Sequence, residues 1–268
     1  MRILILGATG SIGTSVAAEL KFHGHQVIAL ARSAKSQKTL ETLSYEVVQG
    51  DIRTPANWSE IVHSVDAIVQ VAVTFTDDMR AVDRCLIEEL HRAIEQRPIP
   101  LRFIYTGGSW LYGATGGTVA DETTPFQPIA SFAWMVDNAA FVLAAEKFNT
   151  VVIHPAMTYC QDGGIFSRFA EHAATQRNIE IWGNLDVRWP LVHRDDLATA
   201  YRLMLERPDL TGHFNVSAEE GVRVGELAPK LPNGTAIIYR LSCALRMMWL
   251  LSLEAGRRGR YWINRCPQ

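Results

Sequence analysis

The apolar run Ile3-Leu4-Ile5-Leu6 passes directly into Gly7-Ala8-Thr9-Gly10-Ser11-Ile12-Gly13, and a helical pattern of Val16, Ala17 and Leu20 begins at once. A strand, a turn with glycines at i, i+3 and i+6, and a helix follow one another without a spacer. Gly7 permits the tight turn, Gly10 lets the backbone approach a phosphate, and Gly13 lets the helix lie close to the strand. The helix N-terminus then presents free N–H groups and a positive dipole end to anionic oxygens. In this setting the loop predicts a pyrophosphate cradle formed by Gly7, Thr9, Gly10, Ser11, Ile12 and Gly13.

The rest of the chain alternates in the same way. Short apolar runs at 27–31, 45–49, 67–73, 101–106 and 150–153 predict further strands, with amphipathic helical stretches at 78–96 and 133–147 between some of them. Continuous apolar strands alternating with helices predict an α/β fold, a Rossmann-type doubly wound parallel sheet covered on both faces. Ligands of such sheets bind at the carboxyl ends of the strands. The organisation expected is a nucleotide-binding core over 1–160 and a small C-terminal substrate lobe over 161–268, interleaved with the last core elements in one compact unit.

Composition narrows the function classes. The 268 residues are 48% hydrophobic, which suffices for one large core plus a small lobe. A net charge of −2 gives no field for nucleic acid or a membrane surface. Cys85, Cys160, Cys243 and Cys266 are scattered, with no metal-ligand spacing, and read as reduced thiols of a cytoplasmic protein. Residues 3–6 are too short an apolar stretch for a signal peptide. Arg32 ends the second strand, where an acidic residue would bond the ribose 2′-hydroxyl of NAD; an arginine suits the 2′-phosphate of NADP, and Lys35 and Lys38 add charge nearby.

The form Gly-Ala-Thr-Gly-x-x-Gly resembles the short-chain dehydrogenase/reductase superfamily, in its extended and atypical branches of nucleotide-sugar epimerases, dehydratases and NADP-dependent reductases. The resemblance extends from Met1 to about Leu227. It implies that Gly50-Asp51-Ile52 contacts the adenine, with Asp51 otherwise capping the next helix. It also implies that Ala72, in Gln70-Val71-Ala72-Val73, lets the backbone run beside the cofactor, although the family's histidine is replaced by Gln70. His154-Pro155-Ala156-Met157-Thr158-Tyr159 matches the segment that lines the nicotinamide carboxamide, through Pro155 and Thr158. There His154 stands for an arginine and reads as a structural hydrogen-bonder.

The catalytic region departs from that pattern. Tyr112-Gly113 anchors Thr106-Gly107-Gly108-Ser109-Trp110-Leu111-Tyr112-Gly113 to the family's serine-bearing segment, so the usual catalytic hydroxyl falls on Gly108. Counting from Asp121-Glu122-Thr123-Thr124-Pro125 places the tyrosine and lysine of Tyr-x-x-x-Lys on Phe132 and Val136, and no such pair occurs between Asp121 and Lys147. Phenylalanine and valine neither move a proton nor hold a ribose. Thr106, Ser109 and Tyr159 are the replacement catalytic candidates, with Asp137 or water as further donors. Losing a general acid lowers a rate by about 10²–10⁴-fold without abolishing chemistry. Three functions stay open: an NADP(H)-dependent reductase of a carbonyl, imine or activated double bond, with Thr106 or Ser109 polarising the acceptor; an isomerase, cyclase or dehydratase on the same scaffold; and a catalytically silent NADP-binding sensor.

Beyond residue 160, Trp189-Pro190-Leu191-Val192-His193-Arg194-Asp195-Asp196-Leu197-Ala198 matches a further family segment, with Asp195 or Asp196 expected to cap a helix and His193 expected to be structural. Met157, Phe166, Trp182 and Trp189 are candidate walls of an apolar pocket. Such a pocket takes a small apolar or aromatic metabolite and disfavours a nucleotide sugar. Leu241, Leu245, Met248 and Trp249 carry a helical stripe within 236–253, while Arg240 and Arg246 argue against a membrane span. The stripe is expected to dock on the substrate side or on a second subunit, so a homodimer is among the partners considered.

Overall fold

A computed structural model describes residues 1–163, 178–182, 185–227, 236–240, 255–256 and 262–263. Strand β1 (Arg2–Leu6) is followed by helix α1 (Ser11–Phe22), β2 (Gln26–Ala31), α2 (Ala34–Thr42), β3 (Glu46–Gln49) and β4 (Ala67–Gln70). Then come α3 (Met79–Ala93), β5 (Leu101–Thr106), α4 (Ala133–Ala144) and β6 (Phe148–Pro155). Together with β10 (Gly212–Ser217) these strands form a parallel sheet in the order β10-β6-β5-β4-β1-β2-β3, extended at the β10 edge by the short antiparallel β14 (Trp262–Ile263).

Because successive side chains of a strand point to opposite faces, β1 divides its apolar residues between two cores. Ile3 and Ile5 lie with Val16 and Leu20 of α1 and with Tyr201 and Met204 of α5 (Arg194–Leu205). Leu4 and Leu6 lie with Leu86 and Leu90 of α3 and Val142 of α4. Arg102 of β5 is buried between β6 and the end of α5, where its guanidinium donates to the carbonyls of Met204, Arg207 and Leu210. A cation at these carbonyls satisfies the helix's orphan acceptors and complements its negative end.

A second sheet follows β6, in the order β11-β9-β7-β13: β7 (Met157–Gly163), β9 (Arg188–His193), β11 (Glu219–Arg223) and β13 (Ala255–Gly256). The strands β8 (Asn178–Trp182) and β12 (Ala236–Arg240) pair in parallel. The short helix α6 (Val224–Leu227) follows β11.

Several local expectations are corrected. The fourth strand stops at Gln70, because 71–73 turns out of the sheet towards Gly7. Asp51 caps no helix; its Oδ1 accepts from Arg53 N at 2.9 Å, an Asx turn, and the 3-10 turn beyond it starts after Thr54. Helix α5 is capped by His193, whose Nδ1 accepts from Asp195 N at 3.2 Å, so Asp195 and Asp196 occupy the first turn instead. Ala236–Arg240 is a strand and not the start of a helix. Phe166, the helical stripe at 241–249 and the arginines of the tail lie outside the described residues.

Candidate functional site

A cavity of about 1340 Å³ lies over the carboxyl ends of the parallel strands. At one end stands the glycine loop. Gly7 has φ +96°, and a Cβ there would stand 3.0 Å from Ala72 Cα, so the end of β1 and the segment after β4 meet backbone to backbone. A Cβ on Gly13 would stand 2.1 Å from the Gly7 carbonyl oxygen, which accounts for the third glycine. Gly10 caps α1 without a side-chain hydrogen bond, and no acidic residue occupies the first turn. The N–H groups of that turn are left for an anion. Gly7, Thr9, Gly10, Ser11 and Ile12 line the cavity, whereas Gly13 serves the close approach of helix and loop.

Arg32 lines the same end, exposed after β2, and makes no hydrogen bond or ion pair with the described residues. Beside it Ser33 and Ser36 close a capping box on α2. Asp51 and Ile52 form the next part of the wall. A Cβ on Gly50 would lie 2.4 Å from the Trp58 ring, and Trp58 Nε1 donates to the Asp51 carbonyl at 2.8 Å, so the indole fixes this loop from behind.

Towards the other end, Ala72, Thr106, Ser109, Pro155 and Thr158 all line the cavity, as do Met157 and Trp189. Thr106 Oγ1 donates to the Gln70 carbonyl at 2.6 Å and is paired with the Tyr201 hydroxyl at 2.7 Å, so its proton is committed to the backbone. The Ser109 hydroxyl has no partner among the described residues. Tyr159 is not part of the lining; its ring stands edge-on to His193 at 5.4 Å. Asp137 is exposed on α4 and is likewise absent from the wall.

Behind the wall, His154 is fully buried. Its Nδ1 accepts from Gly108 N at 3.2 Å, which leaves Nε2 to donate to His213 Nδ1 at 2.9 Å. Burial and the neighbouring His213 push its pKa down to about 3, so the ring is neutral.

The sequence profile of the NAD dependent epimerase/dehydratase family matches residues 3–217. The chain belongs to that family. Among curated relatives, an uncharacterized protein of Schizosaccharomyces pombe is 24% identical over 234 residues, covering 85% of this chain and 78% of that protein. A dTDP-4-dehydro-6-deoxy-D-allose reductase of a Streptomyces species is 24% identical over 263 residues, covering 84% and 78%. Among solved structures, the dTDP-glucose 4,6-dehydratase of Bacillus anthracis in complex with NAD superposes with a TM-score of 0.76 at 16% identity, covering 91% of this chain and 85% of that one. This epimerase/dehydratase scaffold is of the NAD(P)-dependent oxidoreductase type.

At the positions where the count from Asp121 places the tyrosine and lysine, this family member has an apolar cluster. Phe132 is buried with Met79, Leu111 and Trp134, and Val136 packs against them. Gly108 is covered as well: a Cβ there would stand 2.3 Å from the Trp110 ring, so the indole fills the space into which a side chain at 108 would project.

The sequence reading missed a buried polar group on this wall. Asp83 of α3 accepts from Tyr105 OH at 2.5 Å, from Asn138 Nδ2 at 2.8 Å and from Gln70 Nε2 at 3.1 Å. Gln70 is itself locked, since Nε2 donates to Ala72 O and Oε1 accepts from Ala72 N, each at 3.1 Å. Gln70, Asp83 and Tyr105 all reach the cavity. Burial raises the Asp83 carboxyl above the usual range, against the lowering effect of its three donors. A signal was present: Met79, Asp83, Leu86, Ile87 and Leu90 share one helical stripe, and the acid is its single polar member.

Proposed function

We propose that the protein is an NADP(H)-dependent oxidoreductase that reduces a carbonyl, imine or activated double bond of a small apolar or aromatic metabolite. The continuity of the cavity carries this: one space runs from Arg32 and the glycine loop to a wall of Trp110, Phe132 and Trp134. A curated reductase relative and a structural neighbour that holds NAD support a nicotinamide ligand here. An open space beside the strand ends favours an enzyme over a silent sensor.

The residues present fit such a cofactor. Gly10 and the first turn of α1 hold the pyrophosphate, and Arg32, which has no partner among the described residues, takes the 2′-phosphate. Asp51 and Ile52 flank the adenine; Ala72, Pro155 and Thr158 flank the nicotinamide. Bound there, the cofactor supplies a hydride. The aromatic wall excludes water and orients the substrate, and Ser109, an unpartnered hydroxyl of the wall among the described residues, holds the substrate's polar end. Thr106 serves as a positioning residue, tying the end of β4 to Tyr201 on α5.

The test is calorimetric titration with NADPH and NADH, then NADPH consumption against a panel of ketones, cyclic imines and enones. Tighter binding of NADPH and consumption with at least one panel member are expected. No heat with either nucleotide overturns the proposal. Conversion of substrate without net NADPH consumption replaces the reductase by an isomerase or cyclase.

A further inference from the structure

Asp83 is a buried carboxyl that reaches the cavity wall and accepts three hydrogen bonds. Its Oδ2 accepts from both Tyr105 and Asn138, and its Oδ1 accepts only from Gln70. Gln70 cannot turn its amide over, because both faces of that amide are matched to the N–H and C=O of Ala72. All three neighbours therefore present donors, the set that suits an ionised carboxylate. Among the described residues no Lys, Arg or His lies at ion-pair distance from Asp83, whose partners are the neutral Gln70, Tyr105 and Asn138. A buried carboxylate without a counter-charge is costly, and a ligand that brings the charge recovers that cost.

The surroundings select the same ligand. Met79 precedes Asp83 by one helical turn and packs with Leu111, Phe132 and Trp134, while Phe75 and Trp110 pack against that cluster. Phe75, Trp110, Phe132 and Trp134 also line the cavity. An acid and aromatic rings lining one cavity make an environment that attracts an organic cation, through the carboxylate and the ring faces together. It repels an anionic diphosphate.

On the reading of a nicotinamide-dependent reductase above, we infer that the substrate presents a cationic nitrogen to Asp83: it is an iminium, and the product is the corresponding amine. The chemistry accounts for Phe132 at the position of the tyrosine. A ketone needs a proton at oxygen as the hydride arrives. An iminium does not: the new C–H bond forms from the hydride, the C=N π pair becomes the nitrogen lone pair, and the reduced nicotinamide that gives the hydride is oxidised. The neutral amine then takes a proton from water. No side chain has to act as general acid, so phenylalanine at the position of the tyrosine is sufficient.

The test compares two ring isosteres on the full chain saturated with NADP⁺: 2-phenylpyrrolidine, an ammonium at neutral pH, and the neutral 2-phenyltetrahydrofuran. Binding is read by calorimetry and by quenching of tryptophan fluorescence, neither of which depends on turnover. The wild-type protein is expected to bind the ammonium at least tenfold more tightly, and Asp83→Asn to abolish the difference. Equal binding of the two by the wild-type protein overturns the inference, as does a preference that survives in Asp83→Asn. Should that variant not fold, the wild-type pair of ligands still decides. NADP⁺ binding, measured first, separates this outcome from failure of the oxidoreductase proposal.

Discussion

Tyr105 on β5 donates its phenolic hydrogen to Asp83 on α3 across 2.5 Å, joining the central sheet to its covering helix through a buried acid. Burial raises the Asp83 carboxyl, and its three donors act in the opposite direction. Tyr105→Phe removes one donor without changing the ring. The expected cost is about 1–3 kcal/mol in urea unfolding, as for a buried acceptor that loses a partner. A carboxyl raised in the folded state contributes stability below its unfolded pKa and loses it as pH rises through the folded value. Removing a donor raises that value further. The cost of Tyr105→Phe is therefore expected to be larger at about pH 8 than at about pH 4; a cost independent of pH would show that Asp83 does not ionise in the native protein.

His154 carries the opposite linkage. Its folded pKa is pushed down to about 3 by burial and by His213, against a reference of 6.5. Below the reference the unfolded chain takes up a proton that the native ring refuses. Stability is then full above about pH 6.5 and declines towards pH 3, by at most ~1.4 kcal/mol per pH unit for one proton. His154→Gln is expected to cost stability at neutral pH, since the ring packs against Phe126 and stacks on His213. It is also expected to flatten the acid slope. The slope persists in part through His213, also lowered by burial. Urea titrations across this range measure both effects.

Much of this was legible before any coordinates, for identifiable reasons. The glycine loop was readable because its demands are local: Gly7 takes a positive φ at the turn, and Gly13 leaves room for the Gly7 carbonyl six residues before it. The strands were readable because those buried on both faces are continuous apolar runs. The Asp83 network was not, since it joins residues from α3, β4, β5 and α4 that share no local pattern. Nor was the cap of α5. Aspartate is the better prior at such a position, yet the chain enters the helix through a buried His193, whose ring nitrogen does the work of the carboxylate. Thr106 and Ser109 looked equivalent as hydroxyls, and the contacts of Thr106 with Gln70 and Tyr201 separate them.

Gly108 and Trp110 form a coupled pair. A methyl group at 108 meets the six-membered ring of the indole at 2.3 Å, too close for any rotamer adjustment of the methyl itself. Gly108→Ala is expected to destabilise by about 1–3 kcal/mol, as for overpacking of a filled site. In a Trp110→Ala background the same change is expected to be close to neutral, giving a coupling energy of about 1 kcal/mol or more in a double-mutant cycle. Additive costs would show that the indole does not occupy this space in solution.

On the proposed NADP(H) reading, Arg32 is the residue expected to set the choice between the two nicotinamide cofactors. It follows β2 at the rim of the cavity, exposed and without an acidic partner among the described residues, so its guanidinium is free to meet a phosphate bidentately. The residues next to it, Ser33 and Ser36, spend their hydroxyls on each other and on the α2 backbone. They add little to recognition of a phosphate. Charge-assisted hydrogen bonds of this kind contribute about 1.5–3 kcal/mol, so Arg32→Ala is expected to weaken NADPH by roughly ten- to a hundredfold. NADH, which has no 2′-phosphate, is expected to bind the variant as it binds the wild type. The NADPH/NADH affinity ratio from paired calorimetric titrations is the quantity to follow, because a general loss of the loop's structure would lower both affinities and leave the ratio where it was.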